Sequence, residues 1–270
     1  MKFRATILMC ILSVTVLANP KMHGPDFHNR SAPIEGPRVR VLLHHAVNSA
    51  FLEVKGPYRI IRRDTSSVLS GGTNGKRFVV HSIHNGIRWG EEFPGTFCFT
   101  VIPAGQKTEF FVNGLQYKGA ITVFQENGSQ ISLINEVAIE DFVKSTLAIK
   151  HQEALSREAM AALAIVERSK VYAKTQAAQR SFWDITAAEA GYFGYGVTKQ
   201  KNGVDEAVDW TPFMVLQSKG GKEGLVDIRL PSSKAVELAN MGCDAKHILV
   251  ECFPSTLLGT TADPSLFSTR

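Results

Sequence analysis

Three features of the sequence predict an α+β fold, with an antiparallel β-rich N-terminal half and a C-terminal half of helices and further strands. Short β-branched or aromatic runs recur from Val39 to Leu133. Asn-Gly pairs at Asn74-Gly75, Asn85-Gly86, Asn113-Gly114 and Asn127-Gly128 punctuate those runs. After Ile139 the apolar residues change to helical spacing. Strands followed by helices, without βαβ alternation, is the α+β pattern.

At the amino terminus, Lys2 and Arg4 precede an apolar stretch from Ile7 to Leu17, which closes on Val16-Leu17-Ala18 before Asn19-Pro20. A charged start, a short apolar run and small residues before a cleavage point predict a secretory signal peptide over residues 1–18. The run is well short of the roughly 20 residues that span a bilayer, so only an uncleaved signal would tie the chain to a membrane. Residues 19–37, dotted with Pro and His, are expected to form a flexible leader. The folded domain is expected over residues 38–260, β-rich at 38–134 and helix-containing at 135–260, with a tail at 261–270.

Within the β-rich half the expected strands are VRVLLHHAV, FLEVKGPYRII, RFVVHSI, TFCFTVI, EFFV, GAITVF and ISLI. Asn-Gly readily takes the two positive φ angles of a type I′ turn, so several of the connections should be hairpins. Ile139 to Ala148 should be helical, with Glu140 and Asp141 in the first turn, where carboxylates favour the helix dipole. Ser156 is placed to cap a longer helix over Arg157 to Ala178, with Ala159, Ala162, Leu163 and Val166 as its buried stripe. A loop rich in glycine and aromatics follows at Gly191 to Gly196, then a strand at Phe213 to Gln217 and a helix from Ser233 to Asn240. Gly242 is placed to end that helix.

Composition sets broad limits. The formal charge of +5 loses two units with Lys2 and Arg4, and a mild excess without an arginine-rich run or stacked-aromatic motif does not predict nucleic-acid binding. Cys98, Cys243 and Cys252 remain beyond the signal. Cys243 and Cys252 are close enough in sequence to pair, although burial of all three as small hydrophobes is the preferred expectation. The His44-His45 pair and the His81-Ser82-Ile83-His84 segment lack the helical spacing that puts two imidazoles on one face, so neither a metal nor another cofactor is expected.

The order of motifs in the second half resembles the SpoIID/LytB family, stage II sporulation protein D and the amidase enhancers, as a divergent member. The residues that carry the resemblance are Tyr117-Lys118-Gly119, then Leu133 to Val137, then Ile139-Glu140-Asp141-Phe142-Val143. Glu158-Ala159-Met160 running on to Arg168-Ser169, Phe182 to Thr186, Val208 to Leu216 and Ala235 to Pro254 follow in the family's order. The resemblance implies work on the bacterial cell wall, in the periplasm or cell envelope. Its sporulation members are lytic transglycosylases acting on glycan strands stripped of stem peptides, and its enhancers stimulate an N-acetylmuramyl-L-alanine amidase. Peptidoglycan glycan strands and such an amidase are therefore the implied partners.

The family's enzymes use a glutamate from the motif VxxEMP. One carboxyl protonates the glycosidic oxygen and then accepts the proton of the sugar's own hydroxyl, which a carboxyl of raised pKa can do near neutral pH. The corresponding position here is Lys150, eight residues before Glu158. A lysine, which ordinarily titrates at about 10.4, stands there as a cation. The family's glutamine of the AQA motif is also absent, replaced by Leu163. Three readings stay open. Glu153 or Glu140 has taken over the acid's role, against the plainer reading of a loop charge and a helix-start carboxylate. Alternatively the groove binds glycan without cutting it. Lys150 would then meet a lactyl carboxylate, Tyr192 or Tyr195 would stack on a sugar, and Arg168 would assist, against plain roles in packing and solvation. Or the chain is an amidase enhancer. Outside the family, a β-rich exported binding protein remains as the alternative.

Overall fold

The computed structural model describes residues 36–178, 181–195, 202–219 and 228–261. Its contacts divide the chain into residues 1–30 and 31–270, and all the described residues belong to the second unit. The expected signal peptide, most of the leader, Gly196 and nearly all of the expected tail lie outside the described residues.

With strands and helices numbered in chain order, two antiparallel sheets build the β-rich half. Sheet one runs β13-β1-β12-β11-β8-β3-β4. Its members are β1 (Arg38–Val47), β3 (Tyr58–Arg62), β4 (Val68–Gly72), β8 (Cys98–Pro103), β11 (Ala120–Glu126), β12 (Gln130–Ala138) and β13 (Ile185–Thr186). The short β13 joins it parallel to β1. Sheet two runs β10-β9-β2-β5-β6-β7. It holds β2 (Ser49–Lys55), β5 (Lys76–Ile83), β6 (Gly86–Trp89), β7 (Glu91–Pro94), β9 (Glu109–Val112) and β10 (Leu115–Tyr117). Period-two alternation makes these faces: Ala50, Leu52 and Val54 of β2 are buried, and so are Val39 and Val41 of β1. Both sets join one core around Trp89, Phe99 and Phe110. The Trp89 indole N–H is satisfied there by the Leu52 carbonyl at 3.0 Å.

Hairpins stand at three of the four Asn-Gly pairs. Asn113 and Gly114 both have positive φ, 49° and 84°, and connect β9 to β10 through a two-residue turn. Asn127-Gly128 turns β11 into β12, and β5 turns into β6 just before Gly86. Asn74-Gly75 is different. The strand before it pairs with β3 in sheet one and the strand after it with β2 in sheet two, so the pair marks a passage between sheets.

The helices are α1 (Ile139–Lys150), α2 (Arg157–Ala177), α3 (Ala187–Ala190), α4 (Val204–Trp210), α5 (Ser232–Asn240) and α6 (Ala245–Cys252). A third sheet pairs β14 (Met214–Ser218) with β15 (Thr256–Thr260). Ser156 caps α2 as expected, its side chain accepting from the Ala159 N–H. The buried surface of α2 is wider than one stripe. Ala159, Met160, Leu163 and Ala164 enter the main core, whereas Ala161, Ala162, Ile165 and Val166 enter a second core with Leu238, Ile248 and Leu249 of α5 and α6. Helix α6 and strand β15 were not among the expected elements.

No disulfide forms among Cys98, Cys243 and Cys252, and none of the three is fully buried. Burial still pushes the Cys98 thiol up to about 11. Among the described residues no helix is long and apolar enough to cross a membrane.

The Tyr117-Lys118-Gly119 motif has a structural reason. Asn135, buried in β12, donates to the Lys118 and Ala120 carbonyls at 2.8 and 3.0 Å. Gly119 passes between them at φ +83°, where a Cβ would lie 2.1 Å from the Glu136 carbonyl oxygen. Gly119→Ala is therefore expected to lower the unfolding free energy by about 2–3 kcal/mol. Gly114→Ala, at a similar φ but facing open space, is expected to cost about 1 kcal/mol. Urea denaturation of the two variants separates the collision from the backbone strain.

Candidate functional site

Helix α1 ends at Lys150, whose charge suits the C-terminal end of a helix dipole. His151 closes the helix: its N–H bonds the Leu147 carbonyl at 2.8 Å, and its own carbonyl accepts from the Asn202 amide at 2.6 Å. Lys150 Nζ lies 2.7 Å from Glu167 Oε1 on α2, and Lys170 Nζ lies 3.5 Å from the other carboxylate oxygen. Two ammonium groups thus share one carboxylate. Next to them His151 is half-buried and its pKa is lowered, first by burial and then by the charge of Lys150. The cluster carries a surplus positive charge beside an imidazole held toward its neutral form. It is suited to receive an anion. The one carboxylate it holds, Glu167, has an ammonium group at each of its oxygens.

The other sequence-predicted residues are placed differently. Glu140, at the start of α1, forms a two-pronged pair with Arg168, Nε to Oε1 at 2.8 Å and Nη2 to Oε2 at 2.7 Å. Arg168 has no exposed side-chain surface and also donates to the Met214 and Val208 carbonyls. Glycan contact by Arg168 is therefore corrected to a structural role, because every direction its guanidinium faces is filled by protein. Glu140 is likewise committed, accepting in addition from the Phe213 N–H at 3.3 Å. Glu153 sits exposed on the loop between α1 and α2.

Tyr192 is also corrected. It is 3% exposed, its ring stacks on Phe142 with centroids 5.2 Å apart, and its hydroxyl donates to Asn135 Oδ1 at 2.7 Å. Burial holds its pKa well above the usual tyrosine value. Tyr195 is partly exposed, with Lys118 Nζ 3.7 Å from its ring centroid and Lys118 in turn 2.7 Å from Asp141. It does not join the cluster at Lys150. Glu167, Lys170 and His151 are what the sequence reading missed. The Glu167–Lys170 spacing was legible as an i,i+3 helical pair, but its meeting with Lys150 depends on how two helices cross.

Glu140 and Lys150 are ten residues apart, about 15 Å along a helix, yet they pair with Arg168 and Glu167, which are adjacent on α2. Helix α1 therefore lies across α2, and each of its ends is tied to one side of the same turn. Among the described residues no group of three or more His, Cys, Asp or Glu side chains converges as metal ligands would.

This crossed pair lies inside the segment that matches a known family. Residues 127–217 match the SpoIID family, described as stage II sporulation protein. The chain belongs to the SpoIID family. An uncharacterized protein of Chlamydia pneumoniae is 38% identical over 252 residues, covering 92% of this chain and 91% of that protein. An uncharacterized protein of Chlamydia muridarum is 38% identical over 214 residues, 79% of this chain and 74% of the relative. A more distant relative from Brachyspira hyodysenteriae, also uncharacterized, is 27% identical over 184 residues, 67% of this chain and 49% of its own length. No solved structure matches the chain. The SpoIID domain suggests a function related to the cell wall.

Removing the carboxylate from the buried pair separates its role from that of the exposed one. Glu140→Ala strands the Arg168 guanidinium and is expected to cost about 3–5 kcal/mol. Lys150→Ala, at a partly exposed pair, is expected to change stability by less than about 1 kcal/mol. Chemical denaturation of both variants tests this contrast.

Proposed function

We propose that this SpoIID-family chain is exported to the cell envelope through residues 1–18 and there binds peptidoglycan glycan strands without cleaving them. The observation that carries the reading is the Lys150–Glu167 ion pair, which fills with an ammonium group the position where the family resemblance puts its catalytic carboxyl. Glu140 offers no substitute, since both its oxygens are held by Arg168. Glu153 is exposed on the loop between α1 and α2 and is not the carboxylate that meets Lys150.

A muramic acid residue freed of its stem peptide carries a lactyl carboxylate. The surplus charge of Lys150 and Lys170 complements that anion, and a charge-assisted hydrogen bond from either ammonium would orient it. Binding without cleavage is also what an amidase enhancer requires, so an amidase partner belongs to the same reading.

The test is to incubate the protein with purified peptidoglycan, intact and amidase-stripped, and to measure pelleted protein and released anhydromuramyl products together. The expected outcome is pelleting with stripped glycan, no anhydro products, and an affinity about tenfold lower for Lys150→Ala, equivalent to about 1.4 kcal/mol. Anhydro products that disappear in Glu153→Gln would mean a relocated acid and overturn the reading, as would the absence of binding to both forms.

A further inference from the structure

On sheet one, far along the chain from Lys150, strand β1 slips its register against β12 between Leu42 and Val47. Ala46 in this bulge has φ 49°, a conformation that side-chained residues adopt infrequently. Bulges of this kind re-aim a side chain and cluster at functional sites. The Ser132 hydroxyl holds the distortion in place, accepting from the Ala46 N–H at 2.9 Å and donating to the Glu126 carboxylate.

The side chain that the bulge re-aims is His45. Its Nδ1 lies 3.1 Å from Glu126 Oε1 and 3.3 Å from Ser132 Oγ, and 56% of the imidazole side chain is exposed. With Nδ1 turned to the carboxylate, Nε2 is the ring nitrogen left for another partner. Alongside stands Trp183, with ring centroids 5.6 Å apart. Phe182, 42% exposed, lies nearly flat on Phe124 at 5.0 Å and 13°, and Trp183 is almost parallel to the same ring. These rings rest on a small apolar floor of Leu42, Phe124 and Ile134.

The segment carrying the two rings is fixed in place. Arg40 donates its backbone N–H to Asp184 at 2.7 Å, pairs its guanidinium with the same carboxylate, and reaches back to the Ser181 and Ala178 carbonyls. A rigid aromatic shelf edged by an imidazole and a carboxylate is the combination that recognises a pyranose. The ring's C–H face packs on the aromatic plane while its hydroxyls bond to polar groups at the edge, and pre-organisation of those groups lowers the entropic cost of binding.

We propose that Phe182, Trp183, His45 and Glu126 form a second carbohydrate site, which takes one pyranose residue. That the occupant is an N-acetylhexosamine rests on the wall-glycan reading above. The site shares no residue with the cluster at Lys150, so a strand engaged at both places would be held at two points.

The full-length protein, isotopically labelled, is titrated with a β-1,4-linked N-acetylglucosamine trimer while the Trp183 indole and His45 ring signals are followed by NMR, with His45→Ala and Trp183→Phe providing the assignments. Saturable shifts of both signals are expected. His45→Ala and Phe182→Ala should each leave the protein folded and weaken binding of the trimer about tenfold. Shifts abolished by Lys150→Ala but not by His45→Ala would overturn the second site and leave the Lys150 reading standing. Silence at His45 and Trp183 with millimolar trimer overturns the second site as well. If stripped glycan still pellets the protein, that failure belongs to the second site alone; if it does not, both readings fail.

Discussion

A guanidinium with no exposure to solvent must find its counter-charge and its acceptors inside the protein, and Arg168 finds them on three different elements. Glu140 brings the start of α1, the Val208 carbonyl brings α4, and the Met214 carbonyl brings the first residue of β14. The desolvation of such a group is costly unless every direction is satisfied, so these elements have to arrive together. Ser169, the next residue on α2, extends the arrangement by accepting from the Leu216 N–H at 2.8 Å. One turn of α2 thus sets the position of the strand that β15 then joins, and of the helix that ends in Lys150. Glu158, in the first turn of α2, accepts from the Ala245 N–H at the start of α6 and fastens that helix to the N-terminal end of α2.

Much of the fold was legible because local chemistry and tertiary packing agreed. Asn113-Gly114 turns β9 into β10 because both positions need positive φ and the flanking residues alternate. Asn74-Gly75 carries the same two letters but joins strands of different sheets, a matter decided by the partners of β4 and β5 and not by the turn. Helix α6 was hidden for another reason: Ile248-Leu249-Val250 reads equally as a buried strand or helix. The cap that decides it, Asp244 accepting from the His247 N–H at 2.8 Å, was present in the sequence.

The candidate site was legible only in part. Lys150 was identifiable from its distance to Glu158, but Glu167 carries no mark in one dimension that it faces Lys150 across two helices. Tyr192 shows the opposite error. An aromatic in a glycine-rich loop suggests a ligand platform, whereas here the loop folds inward, and the phenol closes a hydrogen bond on Asn135. The aromatic pair that does meet solvent, Phe182 and Trp183, sits in a segment that the sequence marked only by its place in the family's motif order, just before Asp184. That aspartate is the anchor of the pair, through Arg40.

The pairing of β1 with β12 has a consequence in time. Arg38 lies opposite Ala138 and Val39 opposite Val137, so the opening strand of the domain waits for about a hundred further residues before its neighbour exists. On the other side β1 waits longer still, for Ile185 and Thr186 of β13. Contacts this distant in sequence slow the closing of a sheet, because the intervening chain must be ordered before they form. During synthesis the first strand would remain available to whatever binds extended, apolar segments, and the order of emergence from the ribosome would leave sheet one open until both of its late partners had been made.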